Sequence, residues 1–137
     1  MLVDANVVLR FLLADETRQS AEATELFAQA PVRSLKLSAL TLAEVTWVLL
    51  SHCETPREVV AVALQRVLAL PSVSAEGILL DAVARFAASS FDSADCVLAS
   101  QAAANGSEAI TFGRDLRRFP DITALAPRAA LQRLQRS

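Results

Sequence analysis

Four acidic side chains stand where the chain is predicted to pass between strand and helix. Asp4 follows Met1-Leu2-Val3, and Glu44 lies within Leu40-Thr41-Leu42-Ala43-Glu44-Val45. Asp95 opens Asp95-Cys96-Val97-Leu98-Ala99, and Asp115 follows Thr111-Phe112-Gly113-Arg114. Carboxylates gathered in one place repel one another, and a divalent cation is the usual reason to gather them. A cation held in this way activates a water and offsets phosphate charge, which is a common chemistry for cutting phosphodiesters.

Each acid also has a plain structural reading. Asp4 ends a predicted strand, where ligands bind in open α/β sheets, but Asp is equally a favoured N-cap for the helix that follows. Asn6, two residues on, can hydrogen-bond neighbouring carboxylates and fix their orientation. Glu44 comes three residues after Thr41, so it either closes a capping box or points to the same sheet edge. Asp92 and Asp95 share a face at a helix N-terminus, where the dipole favours negative charge. The apolar run after Asp95 makes an unpaired carboxylate costly there, a cost a metal relieves, whereas Asp92 reads as a cap or a supporting group. Asp115 is placed to cap a short helix over 116–119 after a tight turn at Gly113. Thr111 is either ordinary strand composition or a hydroxyl for a bound phosphate or a neighbouring acid.

The elements that must position these residues follow from periodicity. Strands are expected at 2–4, 34–38, 108–112 and 122–124, with the signal around Val73 too short to assign. Helices are expected at 6–14, with Val7, Val8, Phe11 and Leu12 apolar, and at 17–30, with Ala21, Ala23, Leu26 and Phe27 inward. A capping box at Thr41–Glu44 starts a helix to about His52, and Thr55-Pro56-Arg57-Glu58 repeats the signal with Pro at the first helical position. Further helices cover 75–88 and 92–104, the latter closed by Asn105-Gly106, and Pro127 opens a terminal one. Strands alternating with helices predict an α/β fold, a parallel sheet covered on both faces.

The 137 residues suit a single domain spanning 1–137, and 53% hydrophobic content argues against disorder. Residues 1–113 hold 7 basic and 13 acidic side chains, a balance of -6, whereas residues 114–137 hold 6 Arg and 2 Asp, a balance of +4. A basic tail beside an acidic body suits RNA phosphates or an acidic partner, and equally a solvated Arg-rich helix end. Cys53 and Cys96 match no metal spacing and read as buried thiols. His52 is the only histidine, which argues against His-rich zinc sites and a Ser-His-Asp triad. No apolar run reaches membrane-spanning length and no signal peptide is evident, so a reduced cytoplasm is expected.

Taken in order and spacing, these segments resemble the PIN-domain family, in size most closely the VapC-type toxins of toxin–antitoxin pairs. Leu2-Val3-Asp4-Ala5-Asn6-Val7-Val8-Leu9 is similar to the family's opening strand, with an acid followed two residues later by Asn. Ser38-Ala39-Leu40-Thr41-Leu42-Ala43-Glu44-Val45 is similar to its second acidic motif, and Asp92-Ser93-Ala94-Asp95-Cys96-Val97-Leu98-Ala99 to its third. The resemblance implies a three-layer α/β/α sandwich with a central parallel sheet and a Mg²⁺- or Mn²⁺-dependent endoribonuclease. It implies Asp4, Glu44 and Asp95 as ligands or water-orienting groups, a small inhibitory antitoxin as partner, and a homodimer. Family members commonly carry an Asp directly after Thr-Phe. Here that position is Gly113 and the nearest acid is Asp115, so either Asp115 joins the metal site from the next turn or the site has three acids. Ala5 stands where a hydroxyl residue is common.

Arg114, Arg117 and Arg118 are suited to an RNA backbone and equally to surface solubility. Gly113 supports a second possibility, a non-catalytic module that binds RNA or a partner without cutting. A phosphoryl-transfer receiver or phosphatase also groups acids at sheet ends, but the only Lys is Lys36, inside a predicted strand.

Overall fold

Short apolar runs bounded by turns give four two-residue strands, and longer amphipathic runs give seven helices, in a computed structural model that describes residues 1–137. The order is α1 (Ala5–Leu13), α2 (Thr17–Gln29), β1 (Leu35–Lys36), α3 (Ala39–Ser51), α4 (Arg57–Leu68) and β2 (Val73–Ser74). Then follow α5 (Gly77–Ala88), α6 (Ser93–Asn105), β3 (Ala109–Ile110), a 3₁₀ turn (Leu116–Arg118), β4 (Ala124–Leu125) and α7 (Pro127–Gln135). β1 pairs with β2 and β3 with β4, both parallel. The α/β class with parallel strands therefore holds, with ladders shorter than the sequence pattern suggested. The first segment contributes one parallel bridge, Leu2 to Lys36. There the Val3 N–H donates to the Lys36 carbonyl at 3.0 Å, and the Lys36 N–H donates to the Met1 carbonyl at 2.7 Å.

Helix starts differ from expectation for identifiable reasons. α3 begins three residues early because the Ser38 hydroxyl, not Thr41, accepts from the Thr41 N–H at 3.2 Å. Thr41 turns its own hydroxyl to the Val3 carbonyl instead, at 3.1 Å. Pro56 is the N-cap of α4 and makes no side-chain capping bond, so the second expected box does not form. Pro at the first helical turn is found at Pro127 of α7. Gly106 closes α6 at φ 61°, a left-handed conformation that glycine adopts without a Cβ clash. On α2 the buried face is Ser20, Ala23 and Phe27, one helical stripe, which leaves Ala21 and Leu26 exposed, contrary to the sequence reading.

A cluster of 26 buried residues runs from Val3 to Phe119 and fixes the helices around the strands. α5 packs on α6 through Leu79, Ala82, Val83 and Phe86 against Cys96, Val97 and Ala99. Small side chains at Ala82 and Ala99 let the two backbones approach closely. Arg57 at the start of α4 holds the chain that leads into α6. Its guanidinium donates to the Phe86 carbonyl at 3.0 and 3.2 Å and to the Phe91 carbonyl, and it lies 3.7 Å from the Phe86 ring centroid. One further expectation changes. Cys53 lies past the end of α3 and is exposed, while Cys96 is buried as expected. Lys36 lies in β1, as its sequence position indicated, and pairs with Glu76 at 3.0 Å. No helix is long and apolar enough to cross a membrane.

Candidate active site

The first segment and β1 run side by side and leave their bridge in the same direction, each into a helix. Asp4 exits the first into α1, and Ser38 follows β1 into α3. The Thr41 hydroxyl ties the two exits together through Val3, directly before Asp4. Asp4 occupies the N-cap position in extended conformation, yet its carboxylate makes no capping hydrogen bond and is exposed. The capping explanation of this acid therefore fails.

Glu44 lies in the second turn of α3, beyond the reach of an N-terminal cap, because Ser38 holds that role. Its neighbours Leu42, Val45 and Thr46 are buried while Glu44 is exposed. Glu44 lines an open cleft of about 560 Å³ between α3 and the start of α6, together with Trp47, Thr46, Asp92, Ser93 and Ala94. Asp92 is the N-cap residue of α6 and, like Asp4, makes no capping hydrogen bond.

Asp95 sits in the first turn of α6, half-buried. Burial pushes its carboxyl above the ordinary value of 3.8, and the negative charges of Asp92 and then Asp115 push it further the same way. Asp115 precedes the 3₁₀ turn without capping it and is exposed. Asp92, Asp95 and Asp115 thus share one electrostatic neighbourhood, and none of them is paired with an Arg or Lys. By contrast, Asp15, Glu22, Glu76, Asp81, Glu108 and Asp121 all have cationic partners.

The supporting residues divide. Thr111 accepts the Gly113 N–H on Oγ1 at 2.9 Å, which shapes the turn before Asp115 and leaves its own hydroxyl hydrogen to donate elsewhere. Asn6 lines a separate groove between α1 and α2, with Arg10, Gln19 and Glu22. Arg114 and Arg117 are exposed and unpaired, while Arg118 lies 5.1 Å from the Phe91 ring centroid, one residue before Asp92.

The structure thus brings Glu44 to Asp92 across one cleft and Asp95 to Asp92 and Asp115 by charge. Asp4 is linked to the start of α3 through its backbone neighbour Val3. No three His, Cys, Asp or Glu side chains converge closely enough to hold a metal ion. The donor chemistry nonetheless fits a hard divalent cation, being anionic oxygen throughout with no competing ammonium or guanidinium. Mg²⁺ in particular keeps several waters and needs only one or two carboxylates. Sequence reasoning passed over Trp47, which stands three residues after Glu44 and lines the same cleft. The Glu-x-x-Trp spacing on one helix face was the signal available.

A family model described as the PIN domain matches residues 1–122. No curated protein matches the chain.

Proposed function

This chain belongs to the PIN-domain family, and we propose from that premise that it is a Mg²⁺- or Mn²⁺-dependent endoribonuclease, the toxin of a type II toxin–antitoxin pair of the VapC type. PIN domains are generally nucleases and typically use divalent metal ions. The observation that carries the reading is Asp95, half-buried beside Asp92 and Asp115 with no cation to offset them. A protein rarely keeps such uncompensated repulsion without a function for it.

In this reading Asp4, Glu44 and Asp95 would hold the ion or orient a water, and Asp115 would supplement them in place of the acid absent at Gly113. A bound divalent ion would supply an activated water and charge neutralisation at the phosphate. Asp92 adds a second negative charge beside Asp95 at the start of α6. Thr111 would lend a hydroxyl beside Asp115, while Asn6, in the groove between α1 and α2, would act only through its position two residues after Asp4. Arg114, Arg117 and Arg118 pair with RNA phosphates beside Asp115. Hydrolysis leaves a 5′-phosphate and a 3′-hydroxyl, as the family likeness implies. A cognate antitoxin, a homodimeric state and a cytoplasmic setting belong to the same proposal.

Cleavage of a structured RNA in Mg²⁺ by the wild type and by Asp4→Asn tests it. Wild-type cutting that Asp4→Asn loses is the expected result, and equal cutting by both removes Asp4 from the chemistry. A second reading, a PIN-fold module that binds without cutting, is favoured by Gly113 and by the lack of three converging acids. Calorimetric titration with Mn²⁺ separates the two, since a module shows no saturable binding at millimolar metal.

A further inference from the structure

We propose that Trp47 is a base-stacking platform that holds one nucleobase of single-stranded RNA beside the acidic edge. Trp47 is the only tryptophan of the chain and is 59% exposed, although tryptophan is on average a highly buried residue. It follows Glu44 by three positions on α3, so the two share a helix face one turn apart. Both line the cleft that also holds Asp92. The Trp47 ring meets the His52 ring edge to face, with centroids 4.9 Å apart and planes at 79°. With that contact made, most of the Trp47 side chain is still exposed and accessible to a base.

The electrostatics of the cleft explain why an aromatic is needed there. Glu44 and Asp92 repel phosphates other than one neutralised by a bound cation, and no Arg or Lys lines the cleft, so backbone charge is a poor anchor for the neighbouring nucleotides. A nucleobase carries no charge, and its stacking on an aromatic ring is favourable whatever the base. Trp47 then sets which nucleotide lies next to the acids, while the arginines near Asp115 hold the backbone. This inference rests on the ribonuclease reading for its substrate, and it adds the residue that grips the base.

Because the chain has one Trp and no Tyr, its indole fluorescence reports on Trp47 alone. The test titrates Asp95→Asn protein, chosen to block turnover, with a short single-stranded oligoribonucleotide in Mg²⁺. Binding is followed by Trp47 emission and by anisotropy of a label on the RNA. Saturable quenching is expected, lost with an oligonucleotide of the same length and charge that lacks bases. Trp47→Ala should weaken binding roughly 5- to 150-fold, with the dependence on salt unchanged, and Trp47→Phe should retain most of the affinity. RNA that binds and is cut by the wild type while Trp47 emission stays constant overturns the stacking role and leaves the nuclease reading standing. Neither binding nor cleavage overturns that reading and the stacking role with it. An emission shift that depends on protein concentration without RNA assigns Trp47 to a protein interface and also overturns the proposal.

Discussion

The Thr41 hydroxyl donates to the Val3 carbonyl at 3.1 Å, and both residues are buried. This bond links the start of α3 to the residue before Asp4, so it sets the spacing between Asp4 and Glu44. Thr41→Val keeps the shape but leaves the Val3 carbonyl without this donor. A loss of about 1–3 kcal/mol of stability is expected from an unsatisfied buried acceptor, read as a lower urea midpoint. Nuclease activity should fall beyond what the unfolded fraction explains. Wild-type stability in this variant would mean that the carbonyl finds another partner.

Arg85 joins α5 to the chain after the 3₁₀ turn by pairing with Asp81 at 2.7 Å and with Asp121. The Arg85 guanidinium holds the Asp81 carboxyl below its ordinary 3.8, helped by the Ser100 hydroxyl at 2.7 Å. The same guanidinium lowers Asp121. Both folded values lie below the unfolded ones, so their contribution is complete above the ordinary carboxylate range. It is lost as pH falls through the folded values. Urea midpoints should therefore decline below about pH 4. In Arg85→Met that decline should be shallower, with a cost near neutrality of about 1 kcal/mol, since both carboxylates are half exposed. An unchanged acid limb would show that other groups dominate acid unfolding.

Much of this arrangement was legible in the residues, and the failures share one cause. The helix at Asn6, the Gly106 stop and the Pro127 start are local signals, readable from a few neighbours. Asp4, Glu44 and Asp95 stood out as acids flanked by apolar residues, which is also local. The start of α3 was misjudged because Thr41 answers to Val3, 38 residues away. On α2, Ala23 and Phe27 face inward as their spacing indicates, with Phe27 against Phe11 at a centroid distance of 4.7 Å, while the stripe continues through Ser20 and leaves Ala21 and Leu26 exposed. The exposure of Trp47 has no local signature, since it depends on what the fold leaves uncovered.

Asp95→Asn separates function from stability. The carboxyl is raised above 3.8 by burial and by Asp92 and Asp115, so its ionised form destabilises the fold. A raised folded value means that stability present at low pH is lost as pH rises through it. The neutral amide escapes that loss, so the thermal midpoint at neutral pH should equal or exceed that of the wild type. The gain should vanish at low pH, where Asp95 itself is protonated. RNA cleavage should be abolished. A variant that is both less stable and fully active would assign Asp95 a structural role.

Gly113→Asp restores an acid where the family commonly has one. A Cβ at Gly113 would meet the Thr111 Oγ1 at 3.3 Å, tight but relieved if that hydroxyl gives by a few tenths of an ångström. The backbone of Gly113 is not in the left-handed region, so a side chain is tolerated there without strain. The turn bond from the Gly113 N–H to the Thr111 Oγ1 asks only for the backbone N–H of residue 113, so it survives the change as long as the Thr111 hydroxyl keeps its present rotamer. Folding should therefore cost no more than about 1 kcal/mol. If the acids around Asp95 hold a metal, an added carboxylate beside them should tighten Mn²⁺ binding several-fold by calorimetry and raise cleavage with it. The double variant Gly113→Asp with Asp115→Asn should then keep that gain, because the new acid takes over from Asp115. Unchanged Mn²⁺ affinity in a folded Gly113→Asp protein would place the metal away from this turn and remove Asp115 from the ligand set.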